Sequence, residues 1–241
     1  TQYGLMSNGI YETSDLVTPI NSFTNNGTLW ASGNDAVSAV HAYGAGALVN
    51  NGTIYSVASS GDAWGFHFDG GFGSFNNSGT LAVVSWFSRA IGIETYDSRS
   101  SILNSGTISV RGDFDAYAIV YYNGVEPRNT GDTPITNTAT GKILAEGPGA
   151  VAIYLAGALS EASNNPTINN AGLIAAHSLS GDASVAILNT ADHFGGTINI
   201  LNSGTISGDF AYYAVPNASI ITNLTNQAGG QIFGAISLAH Y

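Results

Sequence analysis

Asn77-Ser78-Gly79-Thr80-Leu81 and Asn104-Ser105-Gly106-Thr107-Ile108 are two copies of one short phrase: an Asn, a Gly, a small or polar residue, then Ile or Leu. Earlier copies read Asn25-Asn26-Gly27-Thr28-Leu29 and Asn50-Asn51-Gly52-Thr53-Ile54. Later ones centre on Asn137, Asn170, Asn202 and Asn226. The glycines fall at 27, 52, 79, 106, 141, 172, 204 and 230. Self-similarity at a period of roughly 20–50 residues marks a stacked-repeat architecture. A sandwich or barrel also has many short strands, but neither needs the same phrase at every turn.

A second phrase follows each Gly-Thr-Ile across a turn, as in Ala63-Trp64-Gly65-Phe66, Arg89-Ala90-Ile91-Gly92-Ile93 and Ala116-Tyr117-Ala118-Ile119. A third apolar run, such as Ile102-Leu103 or Ile200-Leu201, leads into the next Asn. Short alternating runs of this kind suit strands with one buried face, and no stretch carries the spacing of an amphipathic helix. Three short strands per repeat describe one coil of a parallel β-helix. Eight or nine coils at the usual strand spacing predict a rod about 40 Å long, with almost no α-helix. The recurring Gly is expected to supply backbone angles that other residues avoid. The recurring Asn is expected to hydrogen-bond along the rod, amide to amide. The unbroken period predicts one domain over residues 1–241: an N-terminal cap or partial coil in 1–20, then repeats in 21–238.

Charged residues make up 9% of the chain, with Lys+Arg 5 against Asp+Glu 16. So few cations cannot neutralise many phosphates, which argues against nucleic acid and anionic membrane surfaces as partners. The absence of cysteine excludes disulfides and thiolate metal sites. No apolar stretch approaches the ~18 residues that span a bilayer as a helix. A chain opening Thr1-Gln2-Tyr3 reads as a processed or trimmed product.

The phrases Ile/Leu-x-Asn-x-Gly-Thr-Ile followed by Ala-x-Ala-Ile resemble the passenger domains of bacterial autotransporters, the pertactin-like right-handed parallel β-helices, over residues 20–238. The resemblance implies export to the bacterial cell surface or secretion, and a carboxy-terminal β-barrel translocator. No room for that barrel remains between Ile232 and Tyr241, so a cleaved passenger, a fragment and a free-standing solenoid all stay open. The Asn-Pro-x-Leu motif of two-partner-secretion haemagglutinins and the Gly-Asp-Ser-Gly of serine-protease passengers are both absent.

Arg111-Gly112-Asp113 is an RGD tripeptide, the adhesion motif of some surface proteins; the same turn elsewhere reads Ser60-Gly61-Asp62, Ser180-Gly181-Asp182 and Ser207-Gly208-Asp209. Gly-Asp is therefore a turn of the repeat, and Arg111 is its one departure. Stacked at one corner, Asp62, Asp113, Asp182 and Asp209 could bind Ca²⁺. Asp also serves turns by bonding its own backbone, so no cofactor is expected. Polysaccharide-cleaving chemistry needs converging carboxylates, for which Asp97, Asp113, Asp115 and Asp132 are the candidates. No pair among them has a diagnostic spacing, and His41, His67, His177, His193 and His240 lack metal-ligand spacing. Aromatic residues crowd the first half, from Trp30 to Tyr96, and those facing outward are expected to stack on sugars or a partner. Longer gaps place excursions at residues 121–129, with Tyr121, Tyr122, Glu126 and Arg128, and at 159–166; such insertions emerge as loops in solenoids.

Together these observations predict a non-enzymatic, secreted or cell-surface β-helix acting in adhesion, whose partner is a glycan or protein of a host or neighbouring cell surface. The alternative is a structural filament or surface-layer subunit stacking head to tail. Both ends of the repeat lack the charges and prolines that blunt open sheet edges.

Overall fold

The computed structural model describes residues 10–11, 20–42, 45–68, 72–96, 100–122, 134–156, 167–190, 197–215 and 221–238. Every regular element among them is a strand, and every strand pairing is parallel. Three faces wind around a common core. The first carries β2 (Ile20–Asn25), β5 (Ala45–Asn50), β8 (Phe72–Asn77), β11 (Ser101–Asn104), β14 (Pro134–Asn137), β17 (Thr167–Asn170), β20 (Thr197–Asn202) and β22 (Ile221–Asn226). The second carries β3 (Thr28–Gly33), β6 (Thr53–Ala58), β9 (Thr80–Ser85), β12 (Thr107–Gly112), β15 (Lys142–Glu146) and β18 (Leu173–His177). The third carries β1 (Ile10–Tyr11), β4 (Val37–Ala42), β7 (Ala63–Phe68), β10 (Ala90–Thr95), β13 (Ala116–Tyr122), β16 (Val151–Ala156) and β19 (Val185–Asn189). Strands β21 (Thr205–Ala214) and β23 (Gln231–Ser237) run through the corner and serve the second and third faces at once.

Six turns, from β5 to β21, have every strand paired on both sides. That is fewer complete turns than the eight or nine expected, because the first and last rungs carry partners on one side only. The fold is the expected all-β parallel solenoid.

The register explains the core. Leu48, Phe75, Ile102, Ile135, Ile168 and Ile200 stack directly above one another on the first face. Ile54, Leu81, Ile108, Ile143, Ile174 and Ile206 do so on the second, and Val40, Phe66, Ile93, Ile119, Ile153 and Ile187 on the third. All eighteen side chains are buried. Each contributes about 1.5–3 kcal/mol by leaving water.

The first corner is built by the repeated Asn. Asn25 donates from Nδ2 to Asn50 Oδ1 at 2.9 Å, and the chain continues through Asn77, Asn104, Asn137, Asn170 and Asn202 to Asn226 at 2.8–2.9 Å per step. The same Nδ2 groups also reach a backbone carbonyl of the next rung, such as Thr80, Lys142 or Gln231 O, at about 3.1 Å. All seven side-chain bonds point the same way along the rod.

The recurring Gly has a different cause from the one expected. None of these eight glycines has a positive φ. A Cβ on Gly52, Gly79 or Gly106 would lie 2.0, 1.9 or 2.0 Å from the carbonyl oxygen of the glycine one rung before. Close stacking of turns, not backbone angle, excludes a side chain.

Two substitutions test this corner. Asn104→Ala leaves the Asn77 donor and the Asn137 acceptor short of a partner in a dry interior, and is expected to cost roughly 2–4 kcal/mol in denaturant unfolding. Asn104→Asp, which sets a carboxylate against Asn137 Oδ1 and the Lys142 carbonyl, should cost more than alanine at neutral pH. Equal losses would mean that the bonds carry no directional energy.

Candidate functional site

Three surfaces of the rod carry chemistry, and each arises where the repeat departs from its own pattern. On the third face, residues one rung apart lie side by side, so His41, His67 and Glu94 form one outward column. Glu94 is only 6% exposed. The Trp64 indole N–H donates to its Oε2 at 2.7 Å, the Tyr96 hydroxyl donates to its Oε1 at 3.3 Å, and His67 Nε2 stands 3.5 Å away. The His41 and His67 rings stack at 4.4 Å, and Trp64 stacks on His67 at 5.2 Å. Further along, Tyr96 stacks on Tyr122 at 4.7 Å and Tyr117 on Tyr154 at 5.6 Å. Burial, first of all, pushes the Tyr117 hydroxyl up to about 12, with Asp115 adding to the rise.

All but the Trp64–His67 pair, which share β7, stack from one rung to the next. Their faces cover one another, the Tyr96 hydroxyl turns back to Glu94, and the Thr190 hydroxyl donates to that of Tyr154. The column therefore holds successive turns together and wraps a carboxylate in aromatic carbon.

The corner between the second and third faces holds the turn in which Asp62, Asp113, Asp182 and Asp209 could have stacked. The hydrogen bonds give a different column. Ala63 N–H donates to Arg89 O and Ala90 N–H to Asp115 O, so Asp62, Arg89 and Asp115 occupy equivalent places on successive turns. Asp113 sits outside that column. Asp62 accepts from the Arg89 backbone N–H and Nε, both at 3.1 Å, as well as from Arg89 Nη2 and the Ser88 hydroxyl. Burial raises the Asp62 carboxyl, but those donors together outweigh it and hold it below the ordinary value. Asp115 goes the other way: burial raises it, Arg89 offsets part of the rise, and Asp182 and Asp62 add to it.

Asp209 accepts from the Ser184 backbone N–H at 2.9 Å and from its hydroxyl at 2.8 Å, which hold its carboxyl low. It lines an open recess of about 460 Å³ with His177, Asp182 and Ser184. Among the described residues no group of three or more His, Asp or Glu is placed to hold a metal ion. Asp62 and Asp209 each accept a backbone N–H from the turn of a neighbouring rung.

The remaining sequence candidates scatter. Arg111 and Gly112 belong to strand β12 and only Asp113 to a turn. Arg111 lies over the Trp86 ring at 5.7 Å, and a Cβ on Gly112 would meet Asp115 O at 2.0 Å. The tripeptide is thus embedded in the ladder instead of standing on a loop. Tyr121 does not reach the surface: strand alternation turns it inward, 4% exposed, while its neighbour Tyr122 faces out against Tyr96. Phe66, Phe68 and Phe75 fill the core, whereas Trp30, Trp86, Phe87 and Tyr96 are exposed. Asp97, Glu126, Arg128, Asp132, Tyr43, His193 and His240 lie outside the described residues. The Glu94 cluster escaped the sequence reading: aligning the repeats on their Asn sets His67 beside Glu94 but Trp64 beside Ile91.

The third corner, from third face back to first, carries the connections that vary most in length: 43–44, 69–71, 96–100, 123–133, 157–166, 190–196 and 215–220. By contrast the Asn corner uses only 26–27, 51–52, 78–79, 105–106, 171–172 and 203–204 in six of its eight rungs. Compared with protein-family models, with curated proteins and with solved structures, the chain matches none.

Asp62 and Asp115 give opposite pH signatures. A depressed carboxyl contributes stability above its unfolded value that is lost as pH falls through the folded one; a raised carboxyl costs stability as pH rises past the unfolded value. Asp62→Asn is therefore expected to lower the melting midpoint at pH 7, and Asp115→Asn to raise it. Both differences should shrink toward pH 3. Thermal melts across that range check the signs, and two changes of the same sign would refute the opposed electrostatics.

Proposed function

We propose that the chain is a non-catalytic solenoid of a bacterial surface or the extracellular space, whose stiff rod presents one edge for attachment to a glycan or protein. The observation that carries this reading is that the connections most variable in length, including the two longest, fall at a single corner. Length variation there leaves the stacked rungs untouched, so chemistry can change along that edge at little cost to the fold. The β-solenoid and the pertactin-like phrasing of its repeats support the extracellular placement and the autotransporter-passenger resemblance. Catalysis has weaker support, because Asp62, Glu94 and Asp209 are occupied by turn and aromatic partners.

The experiment replaces residues 123–133 and 157–166 with Gly-Ser segments of equal length. Attachment of the protein to cultured host cells, or to cells of its own kind, is expected to fall by about 10-fold or more with the melting midpoint unchanged. Specific turnover in a screen of polysaccharides, esters and peptides, lost in Asp115→Asn, would replace adhesion with catalysis.

Head-to-tail assembly remains the second reading, because the Asn ladder has a direction. Asn226 on the last described rung presents an amide N–H end and Asn25 on the first presents its Oδ1 end, and residues 221–238 and 20–33 contain no charged side chain. A parallel stack of copies would continue every hydrogen bond. However, β1 adds a rung to the third face alone, in the place that Ala235–Ser237 of an adjoining copy would occupy. Flush stacking therefore requires β1 to leave. Electron microscopy of the chain lacking residues 1–19 is expected to show filaments that Ile236→Lys abolishes. Single rods from the shortened chain would remove this reading.

A further inference from the structure

The turns between the second and third faces form an exposed apolar line on the edge of the rod. Phe87 is 78% exposed and Phe114 67% exposed, the two highest values among the described large apolar side chains, and Trp86 is 44% exposed. They lie on consecutive turns: Phe114 N–H donates to Ser88 O at 3.4 Å, and Asp113 N–H to Ser85 O at 3.1 Å. Gly149 N–H donates to Phe114 O, and the Ser178 hydroxyl to Pro148 O, which carries the line on to exposed Leu179. At one rung per strand spacing it runs about 15 Å. Exposed aromatic rings on adjoining turns are not demanded by the ladder, which closes the equivalent corner elsewhere with Asn34-Asp35-Ala36, Ser59-Ser60-Gly61-Asp62 or the straight run of β21. Contiguous apolar surface of this kind on a soluble rod marks a contact site.

Charge narrows the occupant. Asp113 and Asp182 stand exposed beside the line with half-buried Asp115, while Arg89 is taken by Asp62 and Arg111 lies over Trp86. An acidic rim repels a second copy of the same edge and gains nothing from an anionic bilayer. We infer that this edge docks a polypeptide whose apolar cleft or helix face is rimmed by lysine and arginine, with Phe87 and Phe114 as its two anchors. Aromatic anchors surrounded by complementary charge are what concentrate binding energy in protein interfaces. The inference rests on the reading of the chain as an attachment rod and gives that rod a partner of defined chemistry.

The probe is a fluorescein-labelled amphipathic peptide of leucine and lysine, titrated into the whole chain. Expected are saturable binding that weakens with salt, a loss of about 10-fold or more in the Phe87→Ser, Phe114→Ser double variant, and no loss in Phe233→Ser at the rod's end. Both rings stand in solvent, so the double variant should keep the parent melting midpoint. A peptide of leucine and glutamate should not bind. Equal affinity of parent and double variant would overturn the inference, since diffuse attraction to an acidic protein would then suffice. So would capture on phosphatidylcholine vesicles through the same two rings, or a dimer in sedimentation that the double variant loses. If attachment to cells survives in the double variant, this edge is excluded while the attachment reading stands. If the peptide binds through the two rings but the chain attaches to no surface, the attachment reading fails alone.

Discussion

Every turn of this chain must return to within one strand spacing of the turn before it, and the corner at the repeated Asn is where that constraint bites hardest. There the amide of each Asn is shared between its own turn and the next, and at Gly52, Gly79, Gly106, Gly172 and Gly204 the carbonyl of the preceding Gly occupies the place where a side chain would go. The arrangement leaves buried polar groups satisfied without water, which a dry interior requires. It also fixes register. Once Asn77 sits on Asn104, Phe75 must sit on Ile102 and Leu81 on Ile108. The apolar columns and the amide ladder are therefore two consequences of one alignment.

A fold anchored in this way tolerates change unevenly. The Asn corner admits almost no variation in length. The corner between the second and third faces admits moderate variation, from the straight run of β21 to the turn over residues 178–184. The third corner absorbs the two longest connections, 123–133 and 157–166. Function on such a scaffold is expected along the edges, where a turn can acquire Phe87 or Phe114 without disturbing a rung, or on a face where one column departs from the repeat, as at Glu94.

The Glu94 cluster shows what stacking does to chemistry. A carboxylate set between rungs of aromatic residues is shielded by Trp64 and Tyr96, which also donate hydrogen bonds to it. The same stacking that buries it turns the neighbouring ring faces toward one another. An aromatic-rich face of a solenoid is thus less available for stacking on a ligand than its composition suggests. Rings at turns, such as Phe87 and Phe114, stay open.

From the amino-acid order alone, the period, the three strands per turn, the core columns and the amide ladder were all legible, because each follows from a pattern repeated along the chain. The role of the glycines was not. A glycine in a sequence suggests an unusual φ, and only stacked turns show that a carbonyl one rung away is the obstacle. Nor could the sequence tell Tyr121 from Tyr122, since strand parity at that point decides which of two adjacent tyrosines enters the core. The Gly-Asp of Arg111-Gly112-Asp113 read as a turn of the repeat, and only the ladder shows that Arg111 and Gly112 belong to a strand. Contacts between residues far apart in the chain, such as Trp64 with Glu94 or Ser88 with Phe114, depend on which rung lies beside which. That is a property of the wound chain, and tertiary structure alone decided it.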